Sequence, residues 1–152
     1  MVIQGSVCIE YIGGHRVRKR GLAWLIVKPP DKNITAKSAF ESLDPDARRT
    51  LRNRFDYWLD GGKHDRYFHG WTEQDYRDCF VFKLQNLRLF GFLCNPRKDE
   101  PSFRLCVLCS YSIKDEWEAD KAEKDRMNEL KKDEKILEAL KDIKEDCSEK
   151  KK

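Results

Sequence analysis

Three cations lie inside three consecutive apolar runs of this chain: Lys83 in Cys79–Leu84, Arg88 in Leu87–Cys94 and Arg104 in Phe103–Ile113. Cations carried by neighbouring strands suit a surface that faces phosphate. Aromatic side chains share the runs, with Phe90 and Phe92 on the same strand face as Arg88. Rings stack on bases while cations hold phosphates, so such a face fits single-stranded nucleic acid; the competing reading is a second, partly covered sheet face. His64 and His69 fall in the segment Lys63–Gln74, read as a loop. There they are either solvated or available for proton transfer, and two histidines five apart are weak as a metal pair. Cys106 and Cys109 form a CxxC, but residues three apart on a strand point to opposite faces, so shared ligation is not expected. No metal or cofactor is expected.

The elements that position these groups are legible in turn. Val7, Ile9 and Tyr11 alternate, a basic loop follows Gly13-Gly14, and Leu22–Val27 runs apolar, which predicts a β-hairpin over 6–28. The loop, with His15, Arg16, Arg18, Lys19 and Arg20, is either a solvated tip or a nucleic-acid finger. Thr35–Leu43 reads as a short helix. Asp44 as N-cap, Pro45 at the first helical position and Gly61-Gly62 as the stop bound a second helix, with Ala47, Leu51, Phe55, Trp58 and Leu59 on one stripe. Arg48, Arg49 and Arg52 lie off that stripe. The three β-rich runs from Arg77 to Lys114 then predict an antiparallel meander. Its apolar face, with Phe80, Phe82, Leu87, Leu89, Leu105 and Val107, offers a seat for the helical hairpin. Beyond Lys114 come charged helices, the second carrying the narrow stripe Ile136, Leu137, Leu140 and Ile143.

The expected fold is therefore α+β: an N-terminal β-hairpin, a helical hairpin packed on an antiparallel β-meander, and C-terminal charged helices. The body spans 1–114, a helical extension 115–146 and a disordered tail 147–152. Charge is sorted along the chain, with 20 Lys and Arg against 13 Asp and Glu up to Lys114, and 11 against 14 beyond it. A basic body favours polyanionic partners. No secretory signal or apolar run of membrane-spanning length is seen, so a cytoplasmic protein with reduced thiols and no membrane partner is expected.

A basic chain with this order of elements resembles the RelE/ParE/HigB superfamily of bacterial toxins, over roughly 40–130. The resemblance rests on Leu43-Asp44-Pro45-Asp46-Ala47-Arg48-Arg49 leading to Trp58-Leu59-Asp60-Gly61-Gly62, on Cys79–Leu84 followed by Leu87–Leu93, and on Val107–Lys114 entering a charged helix. In the phage-derived HigB-like branch the last strand ends Leu-Leu-His-Gly-Phe-Val-Lys-Lys. Here Cys109 stands at the His position, Tyr111 at the Phe and Lys114 at the second Lys. Arg88-Leu89-Phe90-Gly91 matches the family's Arg-Ile-Phe-Tyr, while Lys83-Leu84-Gln85 replaces its Glu-Leu-Arg.

The resemblance implies a metal-independent endoribonuclease that cuts messenger RNA, often on the ribosome, and is neutralised by a cognate antitoxin. The 2′-OH attacks the adjacent phosphate, which needs a base, an acid for the leaving oxygen, and cations for the developing charge. It assigns Arg88 and Arg104 to the phosphorane, Lys83 or Lys114 to easing proton transfer, and Tyr111 to stacking or proton donation. His69 or Tyr76 would reach the same site, and Arg77, Tyr76, Arg48 and Arg52 would hold RNA. The alternative is a non-catalytic binding module that engages a protein such as gyrase, or that contacts a partner helix through Ile136, Leu140 and Ile143, although packing of that stripe on the body is the default.

Overall fold

Local signals account for the helical hairpin. The computed structural model describes residues 3–13, 20–113 and 118–149, with backbone alone at 118–120 and 143–149, so the basic loop 14–19 and Lys114 lie outside it. Helix α1 (Ala36–Glu41) and helix α2 (Pro45–Leu59) are joined by three residues. The Asp44 carboxylate accepts from the Ala47 N–H at 2.8 Å, satisfying a donor that the first turn leaves open. At the other end Gly61, at φ 96°, closes a Schellman turn: its N–H reaches the Trp58 carbonyl and that of Gly62 the Tyr57 carbonyl. Asp44→Ala is expected to cost about 1 kcal/mol, a drop of about 2–4 °C in Tm by calorimetry.

Six strands form one mixed sheet in the order β1-β2-β6-β5-β4-β3. They are β1 (Ser6–Gly13), β2 (Arg20–Lys28), β3 (Phe68–Gly70), β4 (Cys79–Leu84), β5 (Leu87–Cys94) and β6 (Arg104–Ile113). The predicted hairpin and meander are both present, and β2 lies parallel to β6, with Arg20 opposite Arg104 and Trp24 opposite Leu108. Burial of β2 on both faces from Gly21 to Leu25 suits that central place. The Lys63–Gln74 segment is not all loop. Phe68–Gly70 pairs with Phe80–Phe82 and makes a short edge strand, and Gln74–Tyr76 forms a 3-10 turn.

Both faces of the sheet are covered. On one, Phe55 of α2 meets Trp24, Phe40 and Phe82 with ring centroids 5.0–6.1 Å apart. Leu22, Phe80, Leu89, Cys106 and Leu108 complete that core. Strand β6 thus turns Cys106 and Leu108 toward the hairpin, not Leu105 and Val107 as expected. On the other face, α3 (Glu118–Leu130) and α4 (Glu134–Glu149) lie over Val81, Phe90, Phe92, Leu105 and Val107. Met127, Leu130, Ile136 and Leu140 are buried there. The Lys135 ammonium pins α4 to the Ile3 and Gly5 carbonyls at 2.8 and 2.9 Å.

Two expectations change as a result. The apolar part of the meander's second face is core rather than an open stacking platform. Ile136 and Leu140 are spent on the body, while Leu137 of the same stripe is exposed; the Ile143 side chain lies outside the described ones. Helix α4 also continues to Glu149, past the expected boundary at 146. Among the described residues no helix is long and apolar enough to cross a membrane.

Candidate phosphate-facing surface

The register of the meander brings Lys83 directly opposite Arg88, and Arg88 directly opposite Ser112. The three side chains therefore form one row across β4, β5 and β6, on the face turned toward α3 and α4. Adjacent strands lie about 4.8 Å apart, and like charges placed opposite each other are destabilising. The Arg88 guanidinium donates to the Gln85 carbonyl at 2.6 Å and the Leu87 carbonyl at 3.2 Å, and no carboxylate pairs with it among the described residues. Those bonds fix its position without cancelling its charge. Gln85 takes a left-handed φ of 52° in the turn that presents its carbonyl.

Lys83 is braced from the neighbouring edge. Its N–H donates to the Tyr67 carbonyl at 2.8 Å, its carbonyl accepts from Arg54 at 2.6 Å, and its ammonium donates to the Asp65 carbonyl. The Tyr67 ring carries the Arg54 guanidinium 4.1 Å from its centroid and the His64 ring stacked at 3.8 Å. Two groups that close cannot share one face of a ring, so Tyr67 is held between them. His69 of β3 pairs with Val81 and so shares the face of Lys83, its ring 4.8 Å from that of Trp71.

A bulge decides what stands beside this row on β6. Phe90 pairs with Ser110 but Gly91 with Leu108, which leaves Cys109 as the extra residue. The Thr35 N–H takes up the Cys109 carbonyl at 2.8 Å. Gly91 suits the tight crossing, because a Cβ there would stand 2.5 Å from the Val107 carbonyl oxygen. The extra residue switches the alternation, so Ser110 and Ser112 join the cation face and Tyr111 moves to the hairpin face beside Leu87 and Ala39. Ser110 donates to the Glu123 carboxylate of α3 at 2.7 Å, and Arg126 does the same at 2.7 Å. The Ser112 hydroxyl is buried with no hydrogen-bond partner among the described residues.

Most of the other expected residues do not converge here. Arg104 lies seven positions along the sheet from Arg88, about 23 Å at the usual strand rise, and donates to the Pro101 and Phe103 carbonyls. Arg88 and Arg104 therefore cannot flank one phosphorane. Tyr76 donates to Asp125 at 2.8 Å, which also accepts from Lys121 at 2.9 Å. The bond to Asp125 raises Tyr76 above its ordinary pKa, while the bonds from Lys121 and Tyr76 hold Asp125 below the usual carboxylate range. The Lys124 ammonium sits over the Trp71 and Tyr76 rings at 4.8 and 4.4 Å, with Glu73 at 3.6 Å, so Tyr76 serves to fasten α3. Arg48 closes the α1–α2 joint through the Glu41 and Leu43 carbonyls, and Arg52 lies over the Phe40 ring at 5.3 Å. Both belong to the hairpin layer, across the sheet from Arg88. Arg77 is exposed beside the 3-10 turn.

Arg20, read from the sequence as part of the basic loop, is instead the first residue of β2. Its guanidinium donates to the Trp58 carbonyl at 2.8 Å and the Gly62 carbonyl at 3.2 Å and lies 5.1 Å from the Trp58 ring centroid. It meets no carboxylate among the described residues, and burial pulls its pKa below the ordinary arginine value. Arg20, Lys63, His64, His69, Trp71 and Lys83 line a cleft of about 700 Å³.

The cysteines are placed for packing. Cys106 and Cys109 fall into different cores, as the strand argument requires. Burial pushes Cys79 to about 11 and Cys94 to about 12, and Cys106 and Cys109 well above the ordinary thiol value. Raised values leave little thiolate at neutral pH. Of the five cysteines whose side chains are described, exposed Cys8 is expected to be alkylated first in the native protein, half-buried Cys94 more slowly, and buried Cys79, Cys106 and Cys109 only after unfolding, as read by peptide mass mapping.

No protein-family model, curated protein or solved structure matches this chain.

Proposed function

We propose that this protein is the toxin member of a toxin–antitoxin pair, acting on messenger RNA through the row Lys83, Arg88 and Ser112. The observation that supports this reading is the directly opposed Lys83–Arg88 pair, in which Arg88 meets no carboxylate among the described residues. Like charges at directly opposed strand positions disfavour each other, and an anion between them favours both. A bridging phosphate of the RNA is that anion, and the cations stabilise the charge that grows as the 2′-OH attacks. His69, one row along on the same face, is the expected residue best placed to move a proton. The order of helical hairpin, meander and C-terminal helix also agrees with what the family resemblance carries. An antitoxin segment rich in acidic residues would neutralise the protein by covering the row.

Purified protein incubated with messenger RNA in the presence of a chelator, with and without translating ribosomes, tests the proposal. Specific cleavage in either condition supports it, and intact RNA in both overturns it. One observation favours the second reading, a binding module that holds a polyanion or a protein such as gyrase without cutting RNA. Arg88 and Arg104 are too far apart to act on one phosphate, leaving fewer converging groups than the family chemistry uses.

A further inference from the structure

We infer that the cleft along β3 is the path of the single-stranded RNA that flanks the phosphate held at Lys83 and Arg88, with Arg20 and Lys63 gripping its backbone. This rests on the reading of the Lys83–Arg88 row given above and extends it to a second site. Lys83 belongs to both: it stands opposite Arg88 and lines the cleft whose far part is Arg20. The row and the cleft are thus one continuous track around the β3 edge.

The chemistry of the lining fits a polyanion with unpaired bases. Asp65 is the one carboxylate among the described residues that line the cleft, against Arg20, Lys63 and Lys83. Arg20 is the telling member. A guanidinium partly withdrawn from water is costly without a compensating charge, and among the described residues this one meets the Trp58 and Gly62 carbonyls and the Trp58 ring but no carboxylate. Those bonds hold it in place at the end of α2, and its charge is left for a ligand. Lys63 is exposed at the rim and His64 and Trp71 are half-buried, so the wall carries both cations and rings. That combination suits a single strand, whose phosphates and bases both need partners.

The test uses the full chain and two labelled probes, a dinucleotide and an octanucleotide of uridine, with binding read by fluorescence anisotropy. Lys63→Glu is expected to weaken octanucleotide binding about tenfold and to leave the dinucleotide unchanged, because only the longer strand reaches the cleft. Arg88→Ala is expected to weaken both probes. Lys132→Glu, the same charge change at the exposed α3–α4 turn, controls for the overall field. Arg20→Gln gives a second view of the cleft once circular dichroism confirms folding. If Lys63→Glu binds the octanucleotide like wild type or like Lys132→Glu while Arg88→Ala does not, the cleft path is overturned and the row stands. Sensitivity to Lys63→Glu with none to Arg88→Ala keeps the cleft and overturns the row. No binding of either probe by wild type overturns both.

Discussion

Arg88→Ala is expected to reduce RNA cleavage by about 10²–10³-fold, the usual effect of removing one preorganised donor from a developing negative charge. The size follows from placement. The guanidinium is half-buried, locked by the Gln85 and Leu87 carbonyls and uncompensated by any carboxylate among the described residues. It therefore offers its charge without having to reorganise. Stability should change by only about 1 kcal/mol, since the lost bonds are two contacts to its own turn. Arg104→Ala is the matched comparison, because it removes the same charge at the other end of the sheet. It should leave cleavage within about twofold, given that a Debye length of about 8–10 Å screens a group at that separation. Equal losses in both variants would mean that the two act only through net charge, and the row would lose its special status. If the protein binds RNA without cutting it, the same pair is read from the salt dependence. The log–log slope of affinity against salt should fall by about 0.7 for Arg88→Ala.

Ending the chain after Leu130 is expected to abolish cooperative unfolding, measured as loss of the calorimetric transition. Ile136 is fully buried and Leu140 nearly so against the core of the second face. Losing each is worth about 2–5 kcal/mol, and the sum approaches the whole stability of about 5–15 kcal/mol of an ordinary domain. Lys135 goes with them, freeing the segment around Ile3 and Gly5 from its two carbonyl contacts. Ile136→Ala should give a graded version of the same result, lowering Tm while the chain still folds. A truncated chain that melts like the full one would show that α4 adds little to the core and is free to meet a partner.

Much of the framework was legible because its signals are local. Asp44, Pro45 and Gly61 bound α2 through bonds to near neighbours in sequence, so the residue types are enough to place both ends. Alternation likewise placed the strands of the hairpin and the meander, and it separated Cys106 from Cys109. Strand β3 escaped notice because three residues carry too little pattern. It exists through its pairing with β4 and the packing of Phe68 on Phe80 and Phe82.

The candidate site depended on distant choices. Alternation tells which residues share a face within one strand, but one inserted residue reverses that rule. The bulge at Cys109 does so, sending Tyr111 to the hairpin face and bringing Ser110 and Ser112 beside Arg88. Which cations meet is set by register: Lys83 meets Arg88 because a two-residue turn joins their strands, and Arg104 is remote because β6 enters the sheet from the opposite end. The sequence by itself determined the capped helix, the strands and their embedded cations, since propensity and periodicity act over a few residues. Only the tertiary structure decided that α3 and α4 close the second face, that β2 lies parallel to β6, and that Arg20 and Lys83 line one cleft, because those contacts join residues far apart in the chain.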